Sequence, residues 1–163
     1  MDFELTVLGN SSATPTKYRH PSAQLLSLNG RMFLIDCGEA TQIQLRRFHI
    51  RFSKIDHIFI SHLHGDHYLG IFGFLSTLHL LGRKKTLKIY APQGLQELVE
   101  LYIRISNPEI LYPIEFITLK EENPENIYED NNLTIHSFPM DHRIECYGFI
   151  FRQKQQLPRM RKE

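Results

Sequence analysis

Only two cysteines, Cys37 and Cys146, occur in the 163-residue chain. That is too few for the disulfide framework of a small secreted domain, and both are expected to be small buried hydrophobes in a reducing compartment. No apolar run approaches the ~18 residues of a membrane span. The opening Met1-Asp2-Phe3-Glu4 offers neither a basic leader nor an apolar one. A cytoplasmic protein with no membrane partner is therefore expected. An excess of either charge is lacking as well: 19 lysines and arginines against 18 acidic residues leave a net charge of +1, with no global pull on nucleic acid, so any phosphate-binding surface has to be local. Internal repeats and low-complexity tracts are absent. After Glu145 the chain contains no aspartate and no histidine.

What is present is a globular balance, 42% hydrophobic and 23% charged, in a chain long enough for one domain with a real core. Phe3 to Leu8 alternates as a strand and ends at Gly9. Asn10 to His20 reads as a polar loop. Ala23 to Leu28 and Met32 to Ile35 read as strands joined by the tight-turn pair Asn29-Gly30. Glu39 to Phe48 has helical spacing, and Ile55 to Ile60 is a short strand. Tyr68 to Leu81 is expected to form one buried helix closed at Gly82. Thr86 to Tyr90 predicts a strand, and Gln93 to Ile105 a helix opened by Pro92. Pro113 to Leu119 and Leu133 to Pro139 alternate as strands around an acidic turn, Glu121 to Glu125. Tyr147 to Phe151 is the last strand expected. The order is that of an α/β or α+β fold with mixed sheets.

The chemistry is concentrated in Ser61-His62-Leu63-His64-Gly65-Asp66-His67, an H-x-H-x-D-H run directly after Ile58-Phe59-Ile60. Imidazole and carboxylate bind zinc and similar divalent ions where no thiolate is offered. In an extended segment, side chains two apart point the same way, so His62 and His64 can reach one ion. A turn at Gly65, free to take positive φ, is expected to swing Asp66 and His67 toward a second. A dinuclear metal centre is the expectation. Of the other histidines, His49 and His57 are expected at the surface or at caps, His79 packed in its helix, and His136 in the core or just outside the ligands.

Three further segments carry a resemblance. Leu8 to His20 contains P-x-K-x-R as Pro15-Thr16-Lys17-Tyr18-Arg19, with His20 where asparagine is usual. Asp36-Cys37-Gly38-Glu39-Ala40-Thr41-Gln42 and Ser61 to Gly70 complete the pattern. Together they resemble ribonuclease Z (tRNase Z) of the metallo-β-lactamase superfamily over nearly the whole chain. The resemblance implies an αβ/βα sandwich, of which residues 1–151 form the N-terminal half and 152–163 a basic tail or linker toward a missing C-terminal half. It implies a zinc endoribonuclease that removes the 3′ trailer of precursor tRNA, with hydroxide generated at the metals attacking the phosphodiester and leaving a 3′-hydroxyl.

The resemblance also implies His142, in Pro139-Met140-Asp141-His142-Arg143, as a further ligand beside His62, His64, Asp66 and His67, with Asp66 accepting the proton of the attacking water. Two zinc ions fill the complete site. Its remaining aspartate and histidine ligands belong to a half this sequence does not contain, so one ion or none is expected here, with little activity from the chain alone. A homodimer is expected to cover the apolar surface so exposed. Asp36 reads equally as a residue orienting a ligand or as a turn-capping carboxylate. Lys17 and Arg19 read equally as RNA-phosphate contacts or as solvated cations. Two alternatives stay open: another phosphodiesterase or small-ester hydrolase of the superfamily, and a non-catalytic zinc-binding partner subunit.

Overall fold

Alternation along β1 (Phe3–Gly9) and β2 (Ala23–Leu28) sends one set of side chains to each sheet face, and both faces are used. The computed structural model describes residues 3–120 and 124–154. Asn29 and Gly30 both take positive φ, 50° and 78°, and turn β2 into β3 (Arg31–Ile35) as their pairing predicts. The chain then crosses in parallel to β4 (Ile55–Phe59), β5 (Leu87–Ala91) and β6 (Ile114–Thr118). The six strands lie in sequence order, antiparallel from β1 to β3 and parallel from β3 to β6. A second, antiparallel sheet comprises β7 (Glu125–Glu129), β8 (Leu133–Pro139) and β9 (Tyr147–Gln153).

Helices cover one face of the large sheet and the small sheet covers part of the other. On the helical side Leu25, Leu34, Ile58 and Ile89 pack with Leu45 of α1 (Thr41–Arg47), Phe74 and Leu78 of α3 (Ile71–Leu80), and Val99 of α4 (Leu95–Ser106). Between the sheets Leu26, Leu28, Phe33, Phe59 and Tyr90 meet Leu133, Ile135, Tyr147, Phe149 and Phe151. Phe59 and Tyr90 stack with ring centres 4.5 Å apart, and Phe149 and Phe151 meet Phe59 edge-on. The α/β sandwich expected of the sequence is the fold observed.

Several local expectations are corrected. The run from Tyr68 to Leu81 is not one buried helix: a single turn, α2 (Gly65–Tyr68), is followed by α3, and Leu80 is 81% exposed. The break falls at Gly70, where a Cβ would lie 2.0 Å from the carbonyl oxygen of Gly38. Helix α1 starts two residues late because Ala40 sits at φ 64°. Helix α4 is opened by Gly94 at φ 101°, beyond Pro92. Glu125 lies in β7, a strand missed because its pattern Glu-Asn-Ile-Tyr-Glu is polar at both ends. Of the acidic turn, Glu121 to Asn123 lie outside the described residues. Arg152 and Gln153 continue β9 opposite Thr134 and Leu133, so the strand runs past the expected boundary; the rest of the tail from Gln155 lies outside the described residues.

Candidate metal centre

The His-rich run leaves the large sheet at the C-terminal end of β4, where parallel strands open onto loops. Ile60 is still tied to β5 by its N–H donating to the Tyr90 carbonyl at 2.8 Å. The next residues pair with the small sheet: His62 forms an antiparallel bridge to Cys146, and the Tyr147 N–H donates to the Ser61 carbonyl at 2.9 Å. This bridge holds the loop before β9 against the run, and it brings His142 to His62 and His64. Ligand nitrogens of the three histidines all lie within 4.8 Å of one another. Nε2 of His142 is 3.3 Å from Nδ1 of His64, and the His62 ring centre is 4.8 Å from each of the other two.

Asp66 and His67 stand beside this group. Gly65 does not turn the chain with positive φ as expected; it opens the short helical turn α2, and a Cβ there would meet Leu69 Cδ1 at 2.8 Å. The turn brings the His67 ring centre to 3.9 Å from that of His62. It leaves Nε2 of His67 3.6 Å from Oδ2 of Asp66. The same Asp66 oxygen accepts the Ala13 N–H at 2.7 Å. The backbone is locked from the other side by the Asp36-Cys37-Gly38 segment. Cys37 N–H donates to the His67 carbonyl and Gly70 N–H to the Cys37 carbonyl, and a Cβ on Gly38 would lie 2.3 Å from the Asp66 carbonyl oxygen.

Asp36 is buried at φ 56° and its carboxylate accepts three hydrogen bonds. Nδ1 of His67 is 2.7 Å away, the Ser61 N–H 2.9 Å and the Ser22 hydroxyl 2.9 Å. It therefore touches His67 and the run's backbone at once. Burial works to lower the pKa of His67, but the hydrogen bond and charge of Asp36, joined by Asp66, outweigh it and hold it above the ordinary value. For His62, burial and the neighbouring His67, His64 and His142 push the imidazole down to about 4 against the pull of Asp36. His62 is thus a neutral lone-pair donor at physiological pH. Neutral imidazoles with converging nitrogens form the donor chemistry a divalent transition metal requires, so the residues fit such an ion.

A cleft of about 500 Å³ opens over these groups, lined also by Ser12, Glu39, Leu69 and Arg143. A second, of about 520 Å³ near the start of β4, is lined by residues such as Arg46, Phe52 and Leu78 and holds no histidine or carboxylate. Lys17 and Arg19 are exposed on the 10–20 loop and do not line the site cleft, to which that loop contributes Ser12 and Ala13.

His57 is neither a surface nor a capping group. It lies half-buried between the sheets, 4.8 Å from the Tyr128 ring and 5.4 Å from that of Phe33, because its side of β4 faces the small sheet. His136 alternates with the buried Leu133, Ile135 and Ser137 and so projects from the other face of β8. Cys37 is buried and unpaired, its thiol pushed up to about 12 chiefly by burial. Sequence reasoning missed Ala13, Ser22 and Arg143. Arg143 adjoins His142 in the chain, whereas the Ala13 contact uses a backbone N–H that no residue type announces.

Two packed sheets with helices on the outer face of the larger one, and the histidine-rich loop at a strand end between the sheets, define a protein of the metallo-β-lactamase fold. Human tRNase Z, short form, superposes with a TM-score of 0.82 at 32% identity, over 91% of this chain and 64% of that one. The metallo-β-lactamase fold protein YhfI of Bacillus subtilis shares the fold at a TM-score of 0.70. The protein-family model described as anti-Pycsar protein Apyc1 matches residues 3–157, and the chain belongs to that family. Its resemblance to ribonuclease Z holds in homology. The ribonuclease Z of Bacteroides thetaiotaomicron is 43% identical over 94% of the chain, and that of Cytophaga hutchinsonii 45% identical over 94%. The chain spans about half the length of these curated relatives, 48% and 49%. No helix among the described residues is long and apolar enough to cross a membrane.

Proposed function

We propose that this chain carries the metal-ligand loop and N-terminal half of a zinc-dependent endoribonuclease that removes the 3′ trailer from precursor tRNA. The observation that carries the reading is the convergence of His62, His64 and His142 beside the Asp66–His67 pair, in a chain homologous to ribonuclease Z. His62, His64 and His142 would hold one zinc ion, and Asp66 and His67 would offer two donors to a second. Zinc at such a site lowers the pKa of water toward neutrality and offers positive charge to phosphoryl oxygens.

The protein's own groups do the rest. His62 is kept neutral by burial, and Asp36 fixes the His67 ring by holding its Nδ1–H, which leaves Nε2 as the free lone pair. Asp66 accepts the proton of the attacking water on its carboxylate, whose Oδ2 is oriented by the Ala13 N–H. Asp66 and His67 supply two donors at the second position, and a full coordination sphere there would draw on further donors. Phe3, Leu5 and Val7 of β1 share the inter-sheet face of Leu26 and Leu28 yet are about half exposed, at 46%, 52% and 50%. That uncovered face supports homodimer formation.

Membership of a family described otherwise than ribonuclease Z leaves a second reading open, a hydrolase of another phosphodiester or of a small ester acting at the same site. Zinc-loaded protein offered precursor tRNA and bis(p-nitrophenyl) phosphate separates the two. Cleavage at the tRNA 3′ side supports the first reading, and turnover of the small diester alone supports the second.

A further inference from the structure

The cleft over the histidines is lined by one cationic side chain among the described residues apart from histidine, Arg143. Its guanidinium nitrogen lies 3.4 Å from Nε2 of His64, while the other ring nitrogen of His64 faces His142 at 3.3 Å. When Nδ1 of His64 gives its lone pair to a cation, Nε2 carries the ring hydrogen. Two N–H donors then face each other, and neither can accept. Arg143 is therefore without a hydrogen-bond acceptor in the state that holds a metal. No ion pair among the described residues includes it. Glu39 and Asp66 line the same cleft and repel an anion, so the rim beside Arg143 is the part that attracts one. A guanidinium presents a planar fork of donors suited to two oxygens of one phosphoryl group.

We infer that Arg143 binds the non-bridging phosphoryl oxygens of the substrate beside the histidine cluster, as a substrate-binding residue that selects phosphodiesters over uncharged esters. The inference rests on the reading of the site as a metal-dependent phosphodiesterase. It is tested on the full chain loaded with cobalt(II), whose visible spectrum reports the histidine cluster, by titrating inorganic phosphate. The metal-free chain is titrated in parallel by phosphorus NMR.

Arg143→Ala is expected to leave cobalt affinity within about twofold while weakening phosphate about tenfold or more, with partial recovery in Arg143→Lys. Unchanged phosphate affinity in Arg143→Ala overturns the inference. So does a parallel loss of cobalt, which would make Arg143 a support for His64. If the wild-type chain takes up no cobalt, the metal reading fails, and the metal-free titration still decides Arg143: phosphate weakened in Arg143→Ala upholds the contact, and phosphate unchanged removes it.

Discussion

Asp36 Oδ2 sits 2.7 Å from Nδ1 of His67, joining two segments 31 residues apart. The same carboxylate holds the backbone of Ser61, so it orients both the run's first residue and its last histidine. Asp36→Asn keeps the shape but replaces an acceptor-only group with one that also donates. Metal affinity is expected to fall about 10- to 100-fold, the usual cost of losing such an outer partner. Competition with a zinc chelator measures it, and unchanged affinity would return Asp36 to a mere turn cap.

Gly70 and Gly38 meet backbone to backbone, with only 2.0 Å between a Cβ placed on Gly70 and the Gly38 carbonyl oxygen. Gly70→Ala must therefore push α3 away from the Asp36-Cys37-Gly38 segment. A loss of about 1–3 kcal/mol in unfolding free energy is expected, as for other overpacked sites. Urea unfolding reads it directly; a variant as stable as the wild type would show that the two segments are not clamped together.

His57 gives the protein an acid sensitivity that is independent of the metal. Burial, aided by Lys88, Lys85 and Arg31 and opposed by Asp56, pushes its pKa from 6.5 to about 4. Between those values the unfolded chain binds the proton and the folded chain does not. Stability is therefore full above about pH 7 and declines as pH falls through that window, by at most about 3 kcal/mol from this group. His57→Phe keeps the aromatic packing and removes the titration. The difference in urea midpoint between pH 7 and pH 5, measured on metal-free protein, should shrink in the variant; an equal difference in both proteins would place the sensitivity elsewhere.

Phe3, Leu5 and Val7 make the uncovered stretch of the inter-sheet face. Replacing Leu5 by lysine should convert a dimeric wild type to monomer with little loss of helical signal. Light scattering after size exclusion checks this, and a monomeric wild type at micromolar concentration would remove the homodimer from the account.

Much of this was readable because local rules and global fold agree. The Asn29-Gly30 turn, the alternation of β1 and β2, and the stop at Gly82 each follow from backbone preferences that the sheet then uses. The site was legible for the same reason: His62 and His64 are two apart on extended chain, and spacing alone puts their rings together. What the sequence hid depends on contacts between distant segments. Gly70 looks like a tolerable helix glycine until Gly38 is laid against it. His57 looks exposed until the small sheet covers β4. His142 was indicated only by the family resemblance, because what holds it at the site is the His62–Cys146 bridge, which no periodicity encodes. Ala13 acts through its backbone, and Arg143 reads as an ordinary loop cation.

The central claim is that His62, His64 and His142 form a working metal site, and metal content measures it most directly. Chain purified with zinc and freed of loosely held ions should retain about one equivalent by elemental analysis, and His142→Ala should retain almost none, as three converging imidazoles require. A wild-type chain that retains no zinc, or a His142→Ala variant that retains as much as the wild type, would contradict it.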